Sequence, residues 1–168
     1  MIRTRNTTRI IFLLYGAALV WVVLFKMTFS FESIAGMEGV RSVNWEPFRY
    51  SIIGGDHLTR EATLNILIFL PLGVFLPTLG VSGVKSVVYG LLTSAAFEAV
   101  QYAFAIGVTD ITDVITNTVG VILGACLYGI LALLFRNKKR RHRLINTLAL
   151  LGGLAFAAVA VHQFLITR

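Results

Sequence analysis

The chain has 168 residues, of which 57% are hydrophobic and only 14% charged, and its mean hydropathy is strongly positive. Soluble domains sit near half apolar and a quarter charged, so an ordinary globular domain is excluded. The single cysteine, Cys126, lies in an apolar stretch and rules out an internal disulfide framework. The net charge of +7 invites a nucleic-acid reading, but its placement along the chain argues against one. There is no internal repeat, low-complexity tract or long linker.

Five stretches are long enough and poor enough in charge to matter: 10–25, 62–84, 86–108, 114–135 and 144–167. A helix needs about 20 apolar residues to cross a bilayer core, so four qualify directly. The first runs 16 residues to Lys26, whose stem can reach the interface. A cleaved signal peptide is the alternative for this stretch, since Arg3, Arg5 and Arg9 precede it. The small residues Ser33 and Ala35, however, stand well beyond the run, and a retained helix is expected. The expected fold is an all-α integral membrane protein, a single domain (1–168) with a bundle of about five transmembrane helices. Helix 10–29 leads, and an extra helix at 144–167 closes the chain.

Lysine and arginine set the orientation. The N-terminal tail, the connection at Lys85 and the connection from Arg136 to Arg143 carry ten of the fifteen basic residues. The opposite connections hold Lys26, Arg41, Arg49, Arg60 and Arg168 in company with Glu32, Glu38, Glu46, Asp56 and Glu61. This bias predicts a cytoplasmic N-terminus and an external C-terminus. The run "RNKKRRHR" has a sharper reading as an anionic-lipid or nucleic-acid site, but a plain cytoplasmic anchor accounts for it and is expected.

The fourth stretch opens on "TDITDVITN". At about 100° per residue, Asp110, Asp113 and Asn117 share one narrow helical face, which Gly120 and Gly124 continue. Small residues at that spacing admit a neighbouring helix. The third stretch carries Glu98 near its middle, with Gln101, Ser94 and Gly90 on the same face. A very short turn makes the two helices antiparallel neighbours, so Glu98 and Gln101 are expected to approach Asp113 and Asn117. Asn65, near the outer end of the second helix, adds a third wall. A carboxylate at mid-membrane costs on the order of 3 kcal/mol, which calls for protonation, hydrogen bonding or a watery pocket around Glu98. The plain alternative is that these groups only hold helices together, and Asp110 suits a helix cap. Pro71 is expected to kink the second helix.

The motifs "SVNWEPFRY", "LNILIFLPLGVFLP", "AFEAVQYAF" and "TDITDVITNTVGVILG", in this order, resemble the successive signatures of the VanZ-like membrane family, named for a protein associated with teicoplanin resistance. The resemblance runs from about residue 41 to 135. It places the family's characteristic groups on Asn44, Pro47 and Phe48, on Asn65, Pro71, Leu72 and Gly73, on Glu98 and Gln101, and on Asp110, Asp113 and Asn117. The family commonly carries an arginine shortly before the first of these aspartates, where "AIGVT" supplies none. The resemblance therefore leaves the carboxylates to be balanced by a cation, by Arg49 or Arg60, or by protonation.

What the resemblance implies is a multi-pass protein of the bacterial cell membrane that contributes to glycopeptide resistance. The expected ligand site is an outward-facing polar pocket of Asn65, Glu98, Gln101, Asp110, Asp113 and Asn117, with no metal and no cofactor. The loop of residues 26–62 is long enough to fold over it, with Trp45, Phe48 and Tyr50 as interfacial aromatics. Expected partners are membrane lipids and a lipid-linked envelope precursor or lipoglycopeptide, not nucleic acid. An intramembrane enzyme using Glu98 and Asp113 as acid and base, or a small subunit of a membrane assembly, are the competing readings. His57 and His162 are isolated, and no Ser/His pair or phosphate loop is present, so a binding protein is preferred to an enzyme.

Overall fold

The computed structural model describes residues 2–25, 42–48, 56–106 and 109–166. Five helices account for nearly all of them: α1 (Ile2–Phe25), α2 (Asp56–Thr78), α3 (Gly83–Phe104), α4 (Ile111–Leu134) and α5 (Lys138–Ile166). Two short strands, β1 (Val43–Asn44) and β2 (Thr109–Asp110), pair in parallel, Val43 opposite Thr109 and Asn44 opposite Asp110.

Local signals fix the helix ends. Ser82 caps α3, its hydroxyl accepting the Lys85 N–H, and Ala105 closes it in the left-handed conformation at φ 54°. Asp110 caps α4 by accepting the Thr112 N–H, and Asn137 accepts the N–H groups of Lys139 and Arg140 at the start of α5. These side chains satisfy donors that the first helical turn leaves unpaired.

Contacts between helices give their relative directions. Glu98 meets Asp110, Ser94 meets Asn117 and Gly90 meets Val121, so α3 and α4 run antiparallel. Along α2 and α4 the pairs advance together, Asn65 with Asp113, Ile66 with Gly120 and Leu70 with Gly124, so these two run parallel. Tyr15 bonds Ile68 and Phe12 stacks on Phe75, which sets α1 antiparallel to α2. Thr8 bonds Asn146 and Trp21 meets Phe156, so α5 lies parallel to α1. Successive helices thus alternate in direction through the bundle.

The tightest seam is α2 against α4. A methyl added to Gly73 would land on the Val121 carbonyl oxygen and 2.9 Å from the Gly124 Cα. The side-chain-free surfaces of Gly73 and Gly124 let the two backbones touch. Around this seam Phe69 and Val121 are fully buried, with Leu19, Leu72 and Phe97 packed on them.

Four helical segments are long and apolar enough to cross a membrane: Arg5–Leu24, Arg60–Thr78, Ile111–Leu134 and Lys138–His162. The sequence makes the first stretch the marginal one. In the structure α1 extends back to Ile2 and qualifies, whereas α3 does not meet that measure. α3 carries Lys85, Glu98 and Gln101 within its length.

The helix α2 continues through both Pro71 and Pro77 and is not broken. Proline removes an N–H from the ladder. Here the Tyr15 hydroxyl donates to the Ile68 carbonyl at 2.8 Å, within one turn of Pro71.

Candidate functional site

The polar residues of the motifs collect at one end of the bundle, where β1, β2, the start of α4, the second half of α3 and the first half of α2 converge. Asp110 is the hub. Its Oδ1 accepts the Thr112 N–H at 2.8 Å, its Oδ2 accepts the Asn44 amide at 2.9 Å, and its own N–H donates to Glu98 Oε2 at 3.0 Å. Asn44 in turn accepts the Glu46 N–H, and the Phe48 N–H donates to the Thr112 hydroxyl. Residues 42–48 are therefore seated on the entrance of α4, with Trp45 75% exposed and Phe48 exposed at the rim. Tyr50 and Arg49 lie outside the described residues, and Arg60 is exposed on α2.

Deeper in the bundle the groups pair differently from the sequence expectation. Asn65 donates to Asp113 Oδ1 at 2.8 Å and to the Thr116 hydroxyl at 3.3 Å, joining α2 to α4. Asn117 donates to the Ser94 hydroxyl at 2.8 Å rather than meeting Glu98 or Gln101. Gln101 turns away from α4 and donates to the Val23 carbonyl of α1 at 3.1 Å. One face of a helix specifies which residues are enclosed, but not which of three neighbours each will find.

Among the described residues, two buried side-chain acceptors lack a partner. Gln101 is 4% exposed and Asn117 2% exposed, and both Gln101 Oε1 and Asn117 Oδ1 are buried without a hydrogen-bond partner. An unmet buried acceptor costs about 1–3 kcal/mol, so each is a place where a donor would be gained. Among the described residues no three His, Cys, Asp or Glu side chains come together as metal ligands, so Asp110, Asp113 and Glu98 do not form a cation-binding trio.

Thr112 and Thr116 belong to the network and carry no mark in the sequence motifs that singles them out. Both are buried, and Thr116 lies one turn on from Asp113 on the same face, a spacing that would have included it. Asn44 entered only through its motif, because a two-residue strand leaves no periodic signal.

The fold and the polar hub define a polytopic helical membrane protein with a hydrogen-bonded cluster at one end of its bundle. The family model described as VanZ/LLP1 matches residues 12–132. Protein VanZ of Enterococcus faecium is 40% identical over 134 residues, which cover 79% of this chain and 79% of that protein. No solved structure is significantly similar. The chain belongs to the VanZ/LLP1 family.

Proposed function

We propose that this protein acts in the bacterial cell envelope by binding an amphiphilic or lipid-linked ligand at the polar end of the bundle, and that it contributes in this way to teicoplanin resistance. The observation that carries the reading is the pair of buried, unpartnered oxygens, Gln101 Oε1 and Asn117 Oδ1, on the two helices that also carry Glu98 and Asp113. A ligand bearing hydroxyl or amide donors suits such acceptors. The lysine and arginine bias puts the opposite, basic end in the cytoplasm, so the polar end with Trp45 and Phe48 faces outward. Relationship to Protein VanZ supports the resistance role.

The test is teicoplanin susceptibility of a sensitive Gram-positive host expressing the wild type or a Glu98→Gln/Asp113→Asn variant at matched membrane levels. Protection by the wild type and its loss in the variant is expected. Equal protection by both would make the carboxylates structural, and absence of protection by either would sink the resistance reading.

A further inference from the structure

The end of the bundle opposite the polar hub carries a second feature. Arg5, Lys138, Lys139 and His142 line a pocket of about 180 Å³ closed by the turn at Thr78–Gly80. Arg141 takes no part in it. Its guanidinium lies over the Tyr128 ring and donates to the Tyr128 hydroxyl and the Phe135 carbonyl. All eight acidic residues of the chain fall between Glu32 and Glu61 or at Glu98, Asp110 and Asp113, so none precedes Glu32 and none follows Asp113. Among the described residues the three helices that line the pocket therefore bring no carboxylate to it.

Further along the same three helices, and with α4, lies an apolar cavity of about 670 Å³, within the size range of small-molecule sites, whose floor toward the pocket is the packed layer of Ile11, Val74, Phe75 and Ile145. On α1 the lining passes from Arg5 to Ile11 and Ala18, on α2 from Thr78 to Val74, and on α5 from His142 to Ile145 and Gly153. The steps between the two linings are one or two helical turns, about 5–10 Å. Its exposed lip is formed by Leu14, Leu67, Leu148 and Leu154, so it is open to the apolar surroundings of the helices. The start of α5 adds the positive end of a long helix dipole.

We propose that this seam is a specific site for an anionic phospholipid, its phosphate held by Arg5, Lys138, Lys139 and His142 and its acyl chain in the cavity above them. The charge complementarity selects an anion, and the adjoining apolar cavity selects one attached to a hydrocarbon chain rather than a free phosphate. The basic run after α4 is then a headgroup clamp, not only a topological anchor. This site is separate from the polar hub and does not depend on what binds there.

The experiment uses the full chain purified in mild detergent, with retained lipid read by mass spectrometry and thermal stability read on adding phosphatidylglycerol, phosphatidylcholine or inorganic phosphate. Retention of phosphatidylglycerol, with stabilisation by it alone, is expected. The Lys138→Ala/Lys139→Ala variant should lose affinity by roughly fivefold for each charge removed. Gly153→Phe fills the cavity and leaves every charge in place, since nothing lies within 4 Å of a Cβ there, and should also lose the lipid. Equal stabilisation by inorganic phosphate or phosphatidylcholine would overturn the proposal, and the comparison needs no variant. Undiminished lipid retention by a monodisperse Gly153→Phe protein would overturn it too, reducing the effect to adsorption on a charged surface.

Discussion

The Glu98 carboxylate of α3 accepts the backbone N–H of Asp110, the residue that caps α4, at 3.0 Å. A single acidic side chain thus holds the end of one helix to the beginning of the next, and the Thr109 hydroxyl adds a bond to the Glu98 carbonyl. Glutamine keeps an acceptor at this position and alanine does not. Glu98→Ala is expected to lower stability by about 1 kcal/mol, the low end of the cost of an unmet N–H because Asp110 is half-buried, while Glu98→Gln loses less. Thermal unfolding in detergent checks the order, and an Ala variant as stable as Gln would show that the bond contributes nothing.

Asp110 both caps α4 and anchors Asn44. Replacing it with alanine removes the cap, at about 1 kcal/mol, and releases residues 42–48 from the helix entrance. Hydrogen exchange should then speed at Ser42 to Phe48 while the centre of α4 is unchanged. Protection that stays the same in this segment would assign its order to the strand pairing alone.

Between α2 and α4 the Asn65–Asp113 bond is amenable to a double-mutant cycle. Interhelical polar pairs in membranes couple by about 0.6 kcal/mol on average and up to about 1.7. The second acceptor, Thr116, predicts a value above that average for Asn65→Ala with Asp113→Ala. Additive single effects would mean that the two side chains meet without supporting each other.

Gly124 and Gly73 predict the largest loss. A side chain at Gly124 meets the Leu70 carbonyl oxygen and lies 2.9 Å from the Gly73 Cα, both backbone atoms that cannot swing aside. Gly124→Val should cost several kcal/mol or prevent folding, in line with the upper range for overpacking. Gly16→Ala is the control, because nothing lies within 4 Å of its added methyl and alanine favours the helix by up to about 1 kcal/mol. Their relative yields and melting temperatures decide the matter.

The helices were legible because an apolar run of bilayer length can form little else, and the enclosed face of α4 followed from Asp113, Asn117, Gly120 and Gly124 recurring at helical spacing. What the sequence could not supply was the choice of partner. Gly120 and Gly124 announce a close neighbour without naming it, and the neighbour is α2, two helices back in the chain. Gln101 shares a face with Glu98 yet bonds α1, because at its depth the rotation of α3 aims it there. The pairing of β1 with β2 was invisible for another reason. Two-residue strands offer no alternation, and their union depends on positions far apart in the chain.

That union bears on the order in which the molecule can be completed. The pairs Val43–Thr109 and Asn44–Asp110 join residues 66 apart in sequence, with two whole helices made in between. During synthesis residues 42–48 have no seat until the ribosome has passed α3 and released the start of α4. The rim of the polar hub is accordingly assembled late, and a chain halted before Thr109 carries its first three helices with residues 42–48 still unpaired.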